Sequence, residues 1–164
     1  MSRQVLGRLA LSEVDRRETV EVSEELKAIA GRMPTEVFNE GKLDVIDEVM
    51  APDFVDHGLP PGMPNDREGV KAFAAAARNA FPDLVNTVTH VVAEGDFVCQ
   101  HISTTGTMRG DFAGMPASGK QATWEAIHLV RFRGKQAVEH WAVSDQLGML
   151  QQLGFVQMPT GQPA

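Results

Sequence analysis

The sequence predicts an α+β domain in which N-terminal helices pack on a curved, mainly antiparallel sheet. Segments with the apolar spacing of helices occupy the first half of the chain, up to about residue 81. Four runs of strand character separated by turns follow, and a short helical segment comes after them. Helices followed by consecutive strands are typical of domains in which the helices cover one face of the sheet. We expect a gap between this face and the helices to be the place where a ligand binds.

Length and composition favour a single domain. The chain has 164 residues, of which 43% are hydrophobic, which suits one core better than two. The net charge is -7 and no run of Lys or Arg occurs, so we do not expect nucleic acid as a partner. The single cysteine, Cys99, cannot form an intrachain disulfide. No stretch approaches the roughly 20 apolar residues of a membrane span, and the N-terminal apolar stretch is too short for a signal peptide. These features predict a cytoplasmic protein without a membrane partner.

The domain is expected to span residues 21–158. Residues 1–20 mix charges with weak periodicity and are interpreted as an extension, either mobile or in contact with a neighbouring subunit. Residues 159–164 are interpreted as a tail.

Two helices are predicted before the first strand-like segment. Ser23, followed by two glutamates, is the expected N-cap of a helix whose apolar residues continue to Val37. Pro34 lacks an amide hydrogen and clashes with the preceding turn, so the helix should be kinked or split there. A shorter helix over residues 43–50 should end before Pro52.

A rigid loop and a third helix are predicted next. Residues 53–57 form a brief extended piece, and three prolines among residues 58–64 indicate a stiff loop that could form the rim of a cavity. Asp66 is the expected N-cap of a helix that runs to Phe81 and ends at Pro82.

The second half of the chain is expected to form the sheet. Short turns at residues 94–96 and 133–135 predict hairpins, whereas residues 109–120 form a longer loop. Asp145 is the expected N-cap of a last short helix. The predicted strands are residues 84–93, 97–108, 121–132 and 136–143.

Histidines on two predicted strands are the first candidate site. Strand alternation places Trp124, Ala126 and His128 on one face of one strand, and His140 and Ala142 on one face of its neighbour. If both faces are concave, the two imidazoles share one cavity and can serve as acid and base near neutral pH. Alternatively, each imidazole bonds a polar neighbour and completes the core.

Other candidate residues are less specific. Asp56 and His57, beside the proline-rich loop, could lie at the cavity rim or simply be solvated. Met108 is interpreted as core or pocket wall. The five histidines show neither a His-x-x-x-His pair nor a Cys/His cluster, so no metal site is predicted.

Three segments carry a family resemblance: FNEGKLDVIDEVMAPDFVDHG, GDFAGMPASGK and IHLVRFRGKQAVEHWAVSDQLGMLQQLG. Over residues 35–155 the chain resembles the SnoaL-like polyketide cyclases, also described as ester cyclases, of the NTF2-like superfamily. The resemblance implies a cone-shaped barrel with an apolar central cavity, assembled as a dimer or tetramer. It also implies ring closure by intramolecular aldol condensation of an aromatic polyketide ester, without a metal or organic cofactor.

The resemblance assigns family positions residue by residue, and two of them depart from the pattern. The histidine that assists catalysis falls on His128, and a cavity asparagine falls on Asp56. The catalytic aspartate falls on Ala142, whose methyl side chain cannot donate or accept a proton, and a cavity glutamine falls on Ala126. Asp145 could replace the missing acid, but its role as a helix cap explains it better.

Three functional hypotheses follow. The first is an enzyme that acts on a hydrophobic small molecule by cofactor-free acid/base chemistry, of cyclase type or of the hydroxylase, hydrolase or isomerase type found among relatives. The second is a non-catalytic ligand-binding protein, and the third is a structural dimer with a filled core. In the first, the catalytic residues are His128, His140 and Asp56, and the ligand contacts are His57, Trp124, Ala126, Ala142 and Met108.

Overall fold

A computed structural model describes residues 13–157 of the chain. Helices pack on one face of a curved five-stranded sheet, which confirms the predicted α+β class. The predictions for residues 1–12 and for the tail at 159–164 lie outside the described residues. Within the described part, no helix has the length and apolar character needed to cross a membrane.

The first helix begins earlier than the sequence suggested. α1 spans Glu13–Arg32, so Ser23 lies inside it and the predicted N-cap at Ser23 is wrong. Acidic residues in the first turn suit the positive end of the helix dipole, and Arg17 pairs with Glu13 at 3.4 Å, so this exposed part is supported by local contacts.

Pro34 changes the geometry of the helix without ending it. The chain passes from α1 into a π-helical segment, Met33–Asn39, with Pro34 buried in its first turn. Proline cannot supply the amide hydrogen bond of an α-helix, and the wider turn accommodates its ring. The expected disturbance at Pro34 is therefore a switch from α to π geometry.

Three further helices follow, and two of them begin at the predicted caps. α2 spans Val45–Val49, α3 spans Arg67–Ala80 and α4 spans Gln146–Leu153. The Asp66 carboxylate accepts a hydrogen bond from the Gly69 amide at 3.0 Å, at the start of α3. The Asp145 carboxylate accepts one from the Gly148 amide at 2.8 Å, at the start of α4. Both residues cap helices as predicted.

The sheet is antiparallel except at one edge. Its order is β1-β5-β4-β3-β2, and β1 pairs in parallel with β5. The short extended piece predicted near residue 53 is longer than expected and joins the sheet as the edge strand β1, where Pro52 is tolerated. The strands are β1 Met50–Asp56, β2 Val85–Glu94, β3 Phe97–Thr107, β4 Gln121–Arg133 and β5 Gln136–Ser144.

Tight turns fix which residues face one another in the sheet. Arg133 pairs with Gln136 across the β4–β5 turn, and Gly134 at its first position has a φ of 60°. A left-handed φ at this position is what a two-residue hairpin of type I′ requires. Past a bulge near Phe132, the register set here brings His128 opposite Ala142.

The buried apolar side chains form two separate clusters on the inner face of the sheet. The first lies under α1, α2 and the first half of α3, and reaches Val98 on β3. The second lies around the end of α3 and α4, and includes Ala122 on β4. Ile102 and Ala126 lie between them on the sheet and are buried, yet neither cluster contains them. The middle of the inner face therefore separates the two apolar clusters.

A row of aromatic rings borders this middle region. Successive ring centroids are 5.5 to 6.3 Å apart with tilted or edge-on planes, a favourable geometry for aromatic pairs. The row joins the end of the π-helical segment to β4 through α3 and the long loop. Its members are Phe38, Phe73, Phe112, Phe81 and Trp124.

The proline-rich loop rests directly on the first turn of α3. A methyl group at Gly69 would overlap the carbonyl oxygen of Pro64 and lie 3.1 Å from the Leu59 side chain. Only a residue without a side chain allows this contact, so Gly69 fixes where the loop lies relative to the sheet.

We expect Gly69→Ala to lower the free energy of unfolding by about 2 kcal/mol, because the loop must move or the helix must shift. Chemical denaturation of the two proteins measures this difference. Gly31→Ala is the matched control, since Gly31 also lies in a helix but has no atom near its missing methyl group. That change should raise stability by about 0.5–1 kcal/mol. Equal effects of the two substitutions would contradict the packing role of Gly69.

Candidate active site

The candidate site lies on the inner face of the sheet, at its middle. His128 on β4 pairs with Gln100 on one side and with Ala142 on the other, and residues paired in register share a face. His140 on β5 pairs with Asp56 on β1. Two residues beyond Gln100 and His128, Val98 and Val130 pack in the first apolar cluster, which identifies this face as the inner one.

A carboxylate and two imidazoles form a continuous hydrogen-bonded chain here. Asp56 Oδ2 lies 2.8 Å from His140 Nδ1, and His140 Nε2 lies 3.0 Å from His128 Nδ1. The two imidazole rings are nearly parallel, with centroids 5.2 Å apart and planes 14° apart. We call this set the relay. It unites the three residues that the sequence selected as catalytic candidates.

The carboxylate of the relay is buried but well satisfied. Asp56 is 6% exposed, and its Oδ1 accepts hydrogen bonds from the backbone amides of Gly58 at 2.7 Å and Leu59 at 3.1 Å. Burial alone raises the pKa of Asp56. The hydrogen bond and charge of His140 and the two amides outweigh it, so the pKa of Asp56 lies below its usual value. Asp56 is therefore ionised at neutral pH.

An ionised Asp56 fixes the tautomers of the relay when both imidazoles are neutral. A carboxylate can only accept, so His140 Nδ1 carries a hydrogen and His140 Nε2 accepts from His128 Nδ1. His128 Nε2 is then left with a lone pair. This atom is a proton acceptor, and it is the free end of the relay.

His128 is held in the neutral form by its surroundings. Burial, reinforced by the charge that His140 can carry, lowers the pKa of His128 to about 4, although the charge of Asp56 opposes this shift. His128 therefore has an acceptor nitrogen available throughout the neutral range.

Gly58 lies directly against Ala142. A methyl group at Gly58 would lie 3.1 Å from the backbone nitrogen of Ala142 and 3.2 Å from its methyl carbon. The same loop is tied to β5 by a hydrogen bond from the His57 amide to the His140 carbonyl, at 2.8 Å. The small side chains at positions 58 and 142 thus allow the loop to approach closely enough for its amides to bind Asp56.

The other predicted contact residues lie in different surroundings. His57 is exposed and stacks on Trp141, with ring centroids 4.9 Å apart, away from the relay because neighbouring residues point to opposite sides. Trp124 contacts Phe81, and Met108 is fully buried in the second apolar cluster. Their roles as ligand contacts stay predictions.

Sequence reasoning missed one polar residue of this face. Gln100 is 3% exposed and faces His128. A signal for this burial was present in the sequence, because strand alternation places Gln100 on the same face of β3 as Val98 and Ile102. It was ambiguous, because the other side of the strand carries Phe97 and Cys99, and the sequence alone did not reveal which side is buried. Among residues 13–157, no group of three or more His, Cys, Asp or Glu side chains is arranged to hold a metal ion.

The fold and the relay define a small α+β domain with an acid/base group on the inner face of its sheet. Sequence comparison agrees, since residues 28–153 match the profile described as SnoaL-like polyketide cyclase. The chain belongs to the SnoaL-like polyketide cyclase family.

Two relatives are ester cyclases of Streptomyces. The aklanonic acid methyl ester cyclase DauD of Streptomyces sp. (strain C5) is 32% identical over 127 residues, which cover 75% of this chain and 78% of that protein. The nogalonic acid methyl ester cyclase of Streptomyces nogalater is 29% identical over 126 residues, which cover 71% and 89%.

Solved structures include similar folds with different assigned activities. IdmH of Streptomyces antibioticus, a candidate polyketide cyclase, is 34% identical with a TM-score of 0.69, over 79% of this chain and 98% of that chain. AclR of Streptomyces galilaeus, a candidate hydroxylase, is 28% identical with a TM-score of 0.72, over 82% and 99%. The fold thus accommodates more than one proposed reaction.

The depressed pKa of His128 predicts a pH dependence of stability. Between pH 6.5 and pH 4 the unfolded chain binds a proton at His128 that the folded chain does not, so the free energy of unfolding falls as the pH falls. We expect wild type to lose about 2 kcal/mol more than His128→Gln between pH 7 and pH 5. Asp56 adds little in this window, since its usual pKa of 3.8 already lies below pH 5 and its pKa in the folded protein is lower still.

Urea denaturation at a series of pH values measures this difference. Glutamine preserves a polar group beside His140 but does not titrate, so it isolates the contribution of the imidazole. Identical pH dependence in the two proteins would contradict the burial of a neutral His128.

Proposed function

We propose that this protein is a cofactor-independent acid/base enzyme of cyclase type, acting on a hydrophobic, polyketide-like carbonyl compound. The observation that carries the proposal is the hydrogen-bonded chain from Asp56 through His140 to His128. Ring closure by aldol condensation begins with removal of a proton next to a carbonyl group. A general base that is kept neutral and can pass its proton on is suited to this step.

The proton follows the relay. His128 Nε2 takes the proton from the carbon next to the carbonyl, and the hydrogen on His128 Nδ1 passes to His140 Nε2. The positive charge then resides on His140, 2.8 Å from the ionised Asp56, and not on the buried His128. Reversal of the same steps returns a proton to the oxygen formed when the ring closes. The low pKa of His128 is compatible with this role because His128 is charged only transiently.

Asp56 provides the carboxylate of the proposed site, because Ala142 occupies the position where the family resemblance places an aspartate. Ala142 and Asp56 lie on β5 and its neighbour β1, on either side of the loop residue Gly58. A carboxylate at position 56 cannot replace a direct proton donor at position 142. It can stabilise a protonated imidazole, so the chemistry is carried by the two histidines.

The surroundings favour an apolar substrate. The relay lies where the two apolar clusters do not meet, and the row of aromatic rings borders the same region. Aromatic faces and edges suit a planar polyketide. The methyl ester cyclases among the relatives support an aromatic polyketide ester as the substrate class. A central cavity between sheet and helices is part of this proposal.

The test uses purified protein with aklanonic acid methyl ester and nogalonic acid methyl ester, followed by chromatography of the products. We expect ring closure by wild type, and a loss of about 10²–10⁴-fold in kcat for His128→Ala. Asp56→Asn should lose about 10²-fold, because an amide cannot stabilise the charge on His140.

His101→Ala is the matched control. His101 on β3 also pairs with a carboxylate, Glu125, at 3.1 Å, but side chains at odd positions of β3 lie on the outer face of the sheet. Its activity should equal that of wild type. Unchanged turnover in His128→Ala would exclude the proposed mechanism, whatever the substrate.

A non-catalytic ligand-binding role is the second candidate, and the alanine at position 142 favours it. Here we expect wild type to bind the esters without converting them. Ala142→Asp should then produce measurable ring closure, because it restores an acid at the family position, although the loop at Gly58 has to move to admit the larger side chain. If wild type converts the esters and Ala142→Asp is slower, the second candidate is excluded.

A further inference from the structure

We propose that the side-chain amide of Gln100 binds a carbonyl oxygen of the substrate and stabilises the negative charge that forms on it beside His128. This inference rests on the proposed function and adds a residue to it. The ligand atom is an oxygen that gains negative charge as His128 takes the proton.

The position of Gln100 is fixed by the pairing of β3 with β4. Gln100 and His128 are partners in the antiparallel register, so their side chains leave the sheet on the same face with β-carbons about 5 Å apart. Val98 and Ile102, its neighbours on this face, are buried. Gln100 is therefore an amide set into an apolar row, next to the reactive end of the relay.

Gln100 differs from the other buried polar residues in having no partner. Among residues 13–157, three polar or charged side chains are buried: Asp56, Gln100 and Thr104. Asp56 binds His140 and two amides, and Thr104 donates to Asn86 Oδ1 at 2.6 Å. The hydrogen bonds of the described residues include none from the Gln100 amide.

An unpaired amide in a folded core is costly, which makes it informative. Leaving such a group without a hydrogen bond is unfavourable, so a residue that serves only the fold would be apolar here. In the described chain, Arg131 Nε is the one fully enclosed side-chain nitrogen or oxygen without a partner. The Gln100 amide is thus not completely enclosed, and it can reach space that a ligand oxygen can occupy.

The chemistry of the proposed reaction needs a donor at this place. When His128 Nε2 takes the proton from carbon, the C–H electron pair forms a carbon–carbon double bond and the carbonyl π electrons move onto oxygen. The oxygen of this enolate carries the negative charge, and the NH₂ group of Gln100 can donate to it. A positioned donor of this kind acts mainly on the transition state, where the charge develops.

The register also accounts for a difference from the family pattern. The resemblance assigns a cavity glutamine to Ala126 on β4. Ala126 pairs with Ile102, and His128 pairs with Gln100, so Gln100 is the diagonal neighbour of Ala126 on the same face. An amide is therefore available in the same neighbourhood, reached from the adjacent strand.

The first measurement is the melting temperature of the ligand-free protein. Gln100→Leu removes an unpaired amide and keeps a side chain of similar length, so we expect a rise of roughly 2–4 °C. Thr104→Val is the matched control, since it removes a buried polar group of the same strand that does have a partner. It should lower the melting temperature by a similar amount, because it removes the donor to Asn86 Oδ1.

The second measurement is binding and turnover of aklanonic acid methyl ester. Quenching of tryptophan fluorescence gives Kd, and chromatography gives kcat. For Gln100→Leu we expect kcat to fall about 10²-fold, the effect of removing one donor to a developing oxyanion, and Kd to rise less. Gln100→Glu, which places a negative charge beside the oxygen, should reduce kcat further.

The outcomes separate this inference from the proposed function. A lower melting temperature of Gln100→Leu, or full kcat in this variant while His128→Ala is inactive, overturns the role of Gln100 and leaves the relay standing. Ester binding by wild type without turnover, weakened in Gln100→Leu, overturns the proposed reaction and leaves the carbonyl contact standing. Loss of kcat with a raised melting temperature supports both.

Discussion

The ionised carboxylate of Asp56, buried beneath a loop, is the interaction on which the site depends. A carboxylate removed from water is costly unless its oxygens are bound. Here one oxygen accepts two backbone amides and the other binds His140. Because the carboxylate stays charged, it fixes the tautomer of His140, and through it that of His128. A single buried charge thus decides which nitrogen atom of the site is left as a hydrogen-bond acceptor.

The loop that supplies the two amides can lie close to the sheet and to α3 because glycines occupy the contact positions. Gly58 lies against Ala142, and Gly69 allows the carbonyl group of Pro64 to contact the first turn of α3. The alanine at the family's acid position therefore has a consequence beyond the loss of a proton donor. It makes room for a loop that binds a different carboxylate, and this exchange shifts the proposed chemistry from an aspartate to a pair of histidines.

Much of the architecture could be predicted from local sequence signals. Asp66 and Asp145 precede helices and cap them, because a short side-chain oxygen can reach the free amides of a first turn. The alternation of β4 and β5 correctly grouped His128 with Ala142. The predicted start of the first helix was wrong. Its exposed first turns are stabilised by ion pairs such as Arg17–Glu13, which a search for apolar spacing does not detect. The burial of Gln100 was missed, since both sides of β3 carry apolar residues.

By itself, the sequence determined the fold class, the order of the elements and the candidate residues of the relay, because spacing, caps and turns are properties of neighbouring residues. Only the tertiary structure decided how these residues meet. Asp56 and His140 are far apart along the chain and become partners because β1 joins β5 in parallel, at the edge of the sheet. Gln100 faces His128 because the antiparallel register of β3 and β4 places them in one pair. Such pairings depend on strand register and on the packing of a distant loop, which no local pattern contains.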